Sequence, residues 1–346
     1  MSMRKRLLSI FGFQQIGLVI IILVLAVVMS IFAGSHLDRV SGHTVNNFLN
    51  PSTLIQIATD TSFFAIMAVG MTMVIVTAGI DLSVGSIYAM SAVLMSLALQ
   101  KMTGAPPVEQ VLVGLFLSCG IGLVAGLFNG IMVCRLGVHP FIITLGTMWV
   151  FRGIAFVTTK AMSILVPESL THFAKANLGM RRDLFPVPMV VMLVVTVLGA
   201  LFLQYTTWGR RIFAVGGNLE AAKYSGLNIN RILTSVYVIA GLCAGIAAFV
   251  GTGFYGASSS GDAQGYELYV IASTVVGGAS LNGGKGSAIG ALLGALLIVM
   301  IRQAIRTLDL DQNYEWIIIG FAIVVSVVLD RWNTTRAQRR LVRARQ

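Results

Sequence analysis

The stretch GGASLNGGKGS, residues 277–287, is the nearest this chain comes to a phosphate-binding loop. The motif G-x-x-x-x-G-K-[ST] requires glycine at position 279 and a hydroxyl residue at 286. Ala279 and Gly286 stand there instead, and apolar runs flank the loop where a strand and a helix would be needed. The chain is therefore not read as an ATP-binding protein. It has no H-E-x-x-H, no nucleophile elbow, no zinc spacing and no paired carboxylates. His36, His43, His139 and His172 are scattered, and Cys119, Cys134 and Cys243 lie in or beside apolar runs with no disulfide or metal pattern. Neither a metal nor a cofactor is expected in this chain.

The polar residues that remain conspicuous are those set against apolar surroundings. In TAGIDLSVGS (77–86) one apolar run ends and another begins. Gly79 suits a left-handed helix stop, and Asp81 or Ser83 suits an N-cap facing the positive end of the next helix dipole. The turn reads as a structural hairpin or as a polar break beside a transport path. Asn129 and Arg152 fall inside apolar runs, where arginine costs about 2.5–3.5 kcal/mol at a span centre and usually faces the protein interior or an aqueous cavity. Arg152 could also snorkel outward. With Thr144, Tyr266 and Glu267, these residues form the candidate set for a substrate path or gate.

A second kind of candidate is the polar island GGNLEAAKYSGLNINR, 216–231. Asn218 is a good N-cap, Glu220 falls in the first turn, and Gly226 is placed to stop the helix. Such a two-turn helix, roughly 10 Å long, is unstable alone in water and must dock, on its own protein or on a partner.

The elements that position these residues are apolar helices. Of 346 residues 56% are hydrophobic and only 11% charged, against roughly 25% charged in a soluble domain. Mean hydropathy is +0.87. The +11 net charge could suggest nucleic acid, but much of the Lys/Arg sits at span ends, so no nucleic-acid partner is expected. The fold class is an all-α polytopic membrane protein, a single transmembrane domain over 1–346 within a lipid bilayer. Spans are expected at about 16–33, 55–78, 82–99, 109–133, 140–159, 187–205, 232–253, 266–280, 288–305 and 314–329. The short 266–280 segment could be a broken helix. The basic N-terminus and the first apolar run mimic a signal peptide and are read as an uncleaved span.

Ten crossings place both termini on one side, and the positive-inside rule makes it the cytoplasm. The inner segments then hold Arg4, Lys5, Arg6, Arg135, Arg210, Arg211, Lys223, Arg231, Lys285 and the basic tail (331–346) with Arg331, Arg336, Arg339, Arg340, Arg343 and Arg345. The loop 207–231 is cytoplasmic in this arrangement, whereas GASSSGDAQG (256–265) and 160–186 are polar outer segments. Glycines four apart, at Gly122, Gly126 and Gly130 and at Gly286, Gly290 and Gly294, with the pair Gly241 and Gly245, predict close helix packing.

EAAKYSG fits the EAA-x-x-x-G loop of bacterial ABC importer permeases, although the Ile-Leu-Pro tail of that signature is missing. AVGMTMVIVTAGIDLSVGS, PFIITLGTMWVFRGIA, GRRIFAVGGNLEAAKYSGLNINR and GYELYVIASTVVGGASLNGGKGS resemble the ribose-type monosaccharide permeases, in family order, over about 50–330. The resemblance implies a dimeric permease of the bacterial inner membrane, with an identical copy or a paralogue as its partner. It implies a cytoplasmic ATPase of two fused nucleotide-binding domains, which carries the ATP and Mg, and a periplasmic sugar-binding protein. Gly216, Gly217, Asn218, Glu220, Ala221, Ala222, Ser225 and Gly226 would form the coupling helix seated on that ATPase. A permease for nucleosides or branched-chain amino acids remains close. A proton-coupled transporter would want ionisable partners in mid-span, and a membrane enzyme would need a catalytic cluster.

Overall fold

In the computed structural model, residues 13–37, 42–176, 185–325 and 328 are described. The basic residues at 4–6, 39, 181, 182 and in the 331–346 tail lie outside them. The described chain is helical apart from one short hairpin, β1–β2, and a two-residue antiparallel pair of distant strands, β3–β4. The first eight elements are α1 (Phe13–Phe32), β1 (Ser35–Leu37), β2 (Thr44–Asn46), α2 (Pro51–Val76), α3 (Val84–Gln100), α4 (Pro107–Leu136), α5 (Pro140–Thr159) and β3 (Ile164–Leu165). There follow α6 (Glu168–Ala174), α7 (Val187–Tyr205), α8 (Thr207–Gly217), α9 (Leu219–Tyr224), α10 (Ile229–Tyr255), β4 (Ala257–Ser258), α11 (Tyr266–Val276) and α12 (Ala288–Thr307). The last is α13 (Tyr314–Val325). Among the described residues, seven helices (α1, α2, α4, α5, α7, α10 and α12) are long and apolar enough to cross a membrane, and α3, α11 and α13 are shorter apolar helices. Phe116, Val124, Trp149, Val157, Val197, Ile317 and Phe321 face outward, the belt a hydrocarbon solvent demands.

α2 is the axis. From Thr61 to Val76 every side chain is buried, packed against α7, α10, α11 and α12. Beside it, α4 and α10 meet backbone to backbone. A Cβ on Gly122 would strike the Gly241 carbonyl and one on Gly126 the Tyr237 carbonyl, while one on Gly130 would lie 2.7 Å from Thr234 Cα. A Cβ on Gly245 would lie 2.5 Å from the Ser118 carbonyl oxygen, and Ser118 Oγ donates to the Gly245 carbonyl across the seam (2.7 Å). These glycines therefore pack as the four-residue spacing predicts. Gly290 and Gly294 open α12 to the end of α11 in the same manner, but Gly286 precedes α12 and packs in a loop, 2.5 Å from Val76 Cγ2 by the same measure.

Two expected features differ. The 266–280 segment is helical only over 266–276, roughly 16 Å of rise and about half a hydrocarbon core. The outer loop GASSSGDAQG is not simply solvated: Ser258, Ser260 and Ala263 are buried, and β4 pairs with β3. Irregular backbone at this depth is tolerated when protein covers it and supplies its hydrogen bonds.

Candidate functional site

The helix expected in the polar island forms as its caps dictate. Asn218 Oδ1 accepts from the Ala221 N–H at 2.9 Å and opens α9. At the other end the Leu227 N–H donates to the Ala222 carbonyl (3.2 Å) and the Gly226 N–H to the Lys223 carbonyl (3.0 Å). That pairing closes a Schellman motif around Gly226 at φ +81°. Glu220 and Tyr224 are exposed, and Ala222 is the one buried side chain of α9. Sequence reasoning left 207–217 without structure. It is the helix α8, capped by Thr206 Oγ1 on the Gly209 N–H (3.0 Å), with Ile212 and Val215 buried.

α8 delivers Gly216 and Gly217 to a joint of three backbones. The Gly284 N–H donates to the Val76 carbonyl, the last of α2, at 2.8 Å. A Cβ on Gly216 would fall on that same carbonyl oxygen, and one on Gly283 would lie 2.6 Å from the Gly216 oxygen. The loop that mimics a phosphate-binding motif thus joins α8 to the end of α2.

The path candidates divide between the two ends of the bundle. Asp81, Ser83, Asn129 and Thr144 gather at the α9 end. Asp81 Oδ1 accepts from the Ser83 N–H (2.8 Å) and Ser83 Oγ (2.6 Å), and Asn129 Nδ2 donates to Ser83 Oγ (2.7 Å). Thr144 Oγ1 donates to the Ile80 carbonyl at 3.1 Å. Asp81, Ser83 and Asn129 are wholly buried. The expected cap of α3 is not made: Ser83 occupies the N-cap position, but its side chain makes no cap hydrogen bond. Its hydroxyl is committed to Asp81 and Asn129, so the polar group ties α3 to α4. The left-handed stop before this turn is Ala78 (φ +60°) rather than Gly79. Gly79 is small for a different reason: a Cβ there would lie 2.8 Å from the Tyr237 hydroxyl.

At the opposite end Arg152 is buried and turned to the 256–265 loop. Its Nη1 donates to the Ser260 carbonyl (2.8 Å) and the Asp262 carbonyl (2.6 Å). An arginine in an apolar helix is explained by the buried loop carbonyls it satisfies. Burial pushes the Asp262 carboxyl up, against the Ser259 N–H it accepts and the nearby Arg152 charge. Glu267 lies in the same neighbourhood, against Gly85 and within electrostatic reach of Arg152.

Tyr266 instead lines a cavity of about 630 Å³ that sequence reasoning missed, also at the end away from α9. Asp60 on α2 pairs with Arg306 on α12 (3.5 Å), and Arg302 pairs with Glu315 on α13 (2.6 Å). The Arg302 guanidinium also lies over Phe64 (5.4 Å) and Tyr269 (4.9 Å). Phe63, Phe254 and Tyr255 form a mutually packed aromatic wall, with ring centroids 5.4–6.0 Å apart. The signal was available: Asp60 interrupts an apolar helix, and Arg302 and Arg306 stand four apart on the face of another.

A bundle of apolar, outward-facing helices with a buried axis, a capped helix held at one end and a polar cavity at the other defines a polytopic membrane protein. The comparisons give the family. Residues 53–327 match the family described as branched-chain amino acid transport system / permease component, and the chain belongs to it. It is 36% identical over 291 residues to the ribose import permease of Haemophilus influenzae, covering 84% of this chain and 88% of that one. It is 35% identical over 286 residues to the D-allose transport system permease of Escherichia coli (82% and 85%). To the fructose import permease of Rhizobium meliloti it is 34% identical over 290 residues (82% and 79%). No solved structure matches the chain. The protein is thus a multi-pass permease subunit of a bacterial ABC importer, a transport component without catalysis of its own.

Proposed function

We propose that this chain carries a monosaccharide of the ribose, allose or fructose type across the bacterial inner membrane, driven by ATP hydrolysed on another chain. The names of the similar permeases support the sugar class. The observation that carries the ATP-driven mechanism is α9, held at the bundle surface through Gly216 and the end of α2. A two-turn helix with both ends capped and only Ala222 buried leaves most of its surface for a partner. In this reading α9 is the coupling helix and sits in a groove of a cytoplasmic ATPase with two fused nucleotide-binding domains, where ATP and Mg bind. Ten crossings, α11 and its flanking loops making one of them, put both termini in the cytoplasm. A second permease copy or a paralogue completes the path, and a periplasmic binding protein delivers the sugar. ATP binding draws the two coupling helices together and opens the cavity outward; hydrolysis resets it. The sugar is neutral, so no charge relay through the spans is required.

The test is uptake of radiolabelled D-ribose, D-allose and D-fructose into proteoliposomes holding permease and ATPase, with binding protein outside and ATP within. ATP-dependent uptake of one of them, unaffected by an uncoupler, is expected. Uptake that follows an imposed proton gradient without ATP would overturn the ATP-driven mechanism. ATP-driven uptake of leucine or uridine in place of every sugar would overturn the substrate class.

A further inference from the structure

The cavity between α2, α10, α12 and α13 belongs neither to the joint at α9 nor to the Arg152 cluster. Its charges form two pairs, Asp60 with Arg306 and Arg302 with Glu315, so its walls are polar yet neutral in sum. Charged side chains in apolar helices are costly and are characteristic of substrate pathways. A neutral sum gives no preference to an anion or a cation. The arrangement instead offers what a polyol takes up: guanidinium N–H donors beside carboxylate acceptors, which match the paired donor and acceptor of adjacent hydroxyls. The side-chain amides of Gln56 and Gln312 add both functions at the rim. The wall of Phe63, Phe254 and Tyr255 supplies flat apolar faces against which the C–H face of a sugar ring stacks. The volume, about 630 Å³, lies within the range of small-molecule sites and admits a monosaccharide with water. The cavity lies at the end where the transported solute enters in the proposed orientation.

We propose that this cavity is a binding subsite for a neutral monosaccharide, with Asp60 and Arg306 holding its hydroxyls and Tyr255 its apolar face. The assignment rests on the transport reading above and adds the place and the contacts.

The experiment uses the reconstituted complex, with Cys119, Cys134 and Cys243 replaced by Ser and Gln56→Cys introduced at the rim. The rate of labelling by an impermeant thiol reagent is measured with D-ribose, D-allose, D-fructose, leucine or uridine present. A ligand at ten times its Kd leaves about one site in ten open, so labelling should slow about tenfold with a sugar and not with leucine or uridine. Asp60→Asn and, separately, Arg306→Gln should each weaken the affinity read from protection by about tenfold or more, the loss of one charge-assisted contact, so that the same sugar concentration slows labelling only about twofold. Tyr255→Ala serves as a third variant if either fails to assemble, judged by gel filtration. Labelling unchanged by every sugar overturns the subsite, as does protection by leucine or uridine alone. If ATP-driven sugar uptake by Asp60→Asn and Arg306→Gln equals that of the parent, the subsite is wrong while the transport reading stands. If no sugar is taken up but a sugar still protects Gln56→Cys, the transport reading fails and the site remains.

Discussion

Gly216→Ala introduces one methyl group at the joint, and its cost can be worked out. The new Cβ would fall on the Val76 carbonyl oxygen and lie 2.8 Å from the Gly284 nitrogen. Both neighbours are backbone, so no side chain can swing aside. The segments must part by on the order of 1–2 Å to restore contact near 3.5 Å. That separation breaks the 2.8 Å hydrogen bond from Gly284 to Val76. A lost hydrogen bond of about 1 kcal/mol and overpacking of about 1–3 kcal/mol give a total of about 2–4 kcal/mol. The control is one residue away: nothing lies within 4 Å of a Cβ on Gly217. Both variants should reach the membrane. Gly216→Ala should lower thermal stability in detergent, and the reconstituted ATPase should lose its stimulation by sugar-loaded binding protein while basal hydrolysis persists. Gly217→Ala should keep the parent's thermal stability, since its methyl group meets no neighbour. If the two variants are alike in stability and coupling, the three-backbone joint does not link α9 to α2.

Gly226→Pro should be more damaging than Glu220→Lys, because proline cannot adopt the φ of +81° that closes α9, whereas the lysine opposes the helix dipole by only about 0.3–1 kcal/mol; ATPase pull-down and stimulated hydrolysis rank them, and parental behaviour of both would remove α9 from the coupling role. Ser83→Ala deletes the hub between Asp81 and Asn129 and should cost about 1–3 kcal/mol, read as earlier thermal aggregation in detergent. Arg152→Leu strips the Ser260 and Asp262 carbonyls of their donor, so the yield of folded protein should fall together with uptake; normal yield with lost uptake would instead make Arg152 a path residue. Ala78→Gly should raise stability by about 0.5–1 kcal/mol, since the left-handed turn costs alanine more than glycine, and an unchanged melting curve would contradict that.

What could be read from the sequence was local or periodic. Asn218 and Gly226 announce α9 because both caps lie within a few residues of the helix they close. The α4–α10 seam is legible because a spacing of four places Gly122, Gly126 and Gly130 on one face. The joint was not legible, because Val76, Gly216 and Gly284 come from three distant segments and no pattern in any one of them names the others. Arg152 was visible as an anomaly, but its partners are backbone carbonyls, which leave no trace in residue identity. The cavity was not legible either, because Asp60 stands on one apolar helix and Arg302 and Arg306 on another more than 200 residues away, and no pattern in either names the other.

The burial of α2 changes what its amino acids answer to. A helix at the rim of the bundle has two clients, lipid on one side and protein on the other, so the sizes it tolerates alternate with the helical repeat. From Ala65 to Val76, beyond the cavity that Phe63 and Phe64 line, α2 has only one kind of neighbour in every direction. A saturation scan should find tolerance rising and falling every three to four residues along α4 and α7. Along α2 it should find a flat line of intolerance, in which Ala65 and Gly70 accept bulk no better than Met67 accepts its loss. A helix constrained on every side has nowhere to drift, and divergence among relatives of this permease should collect on the helices around it.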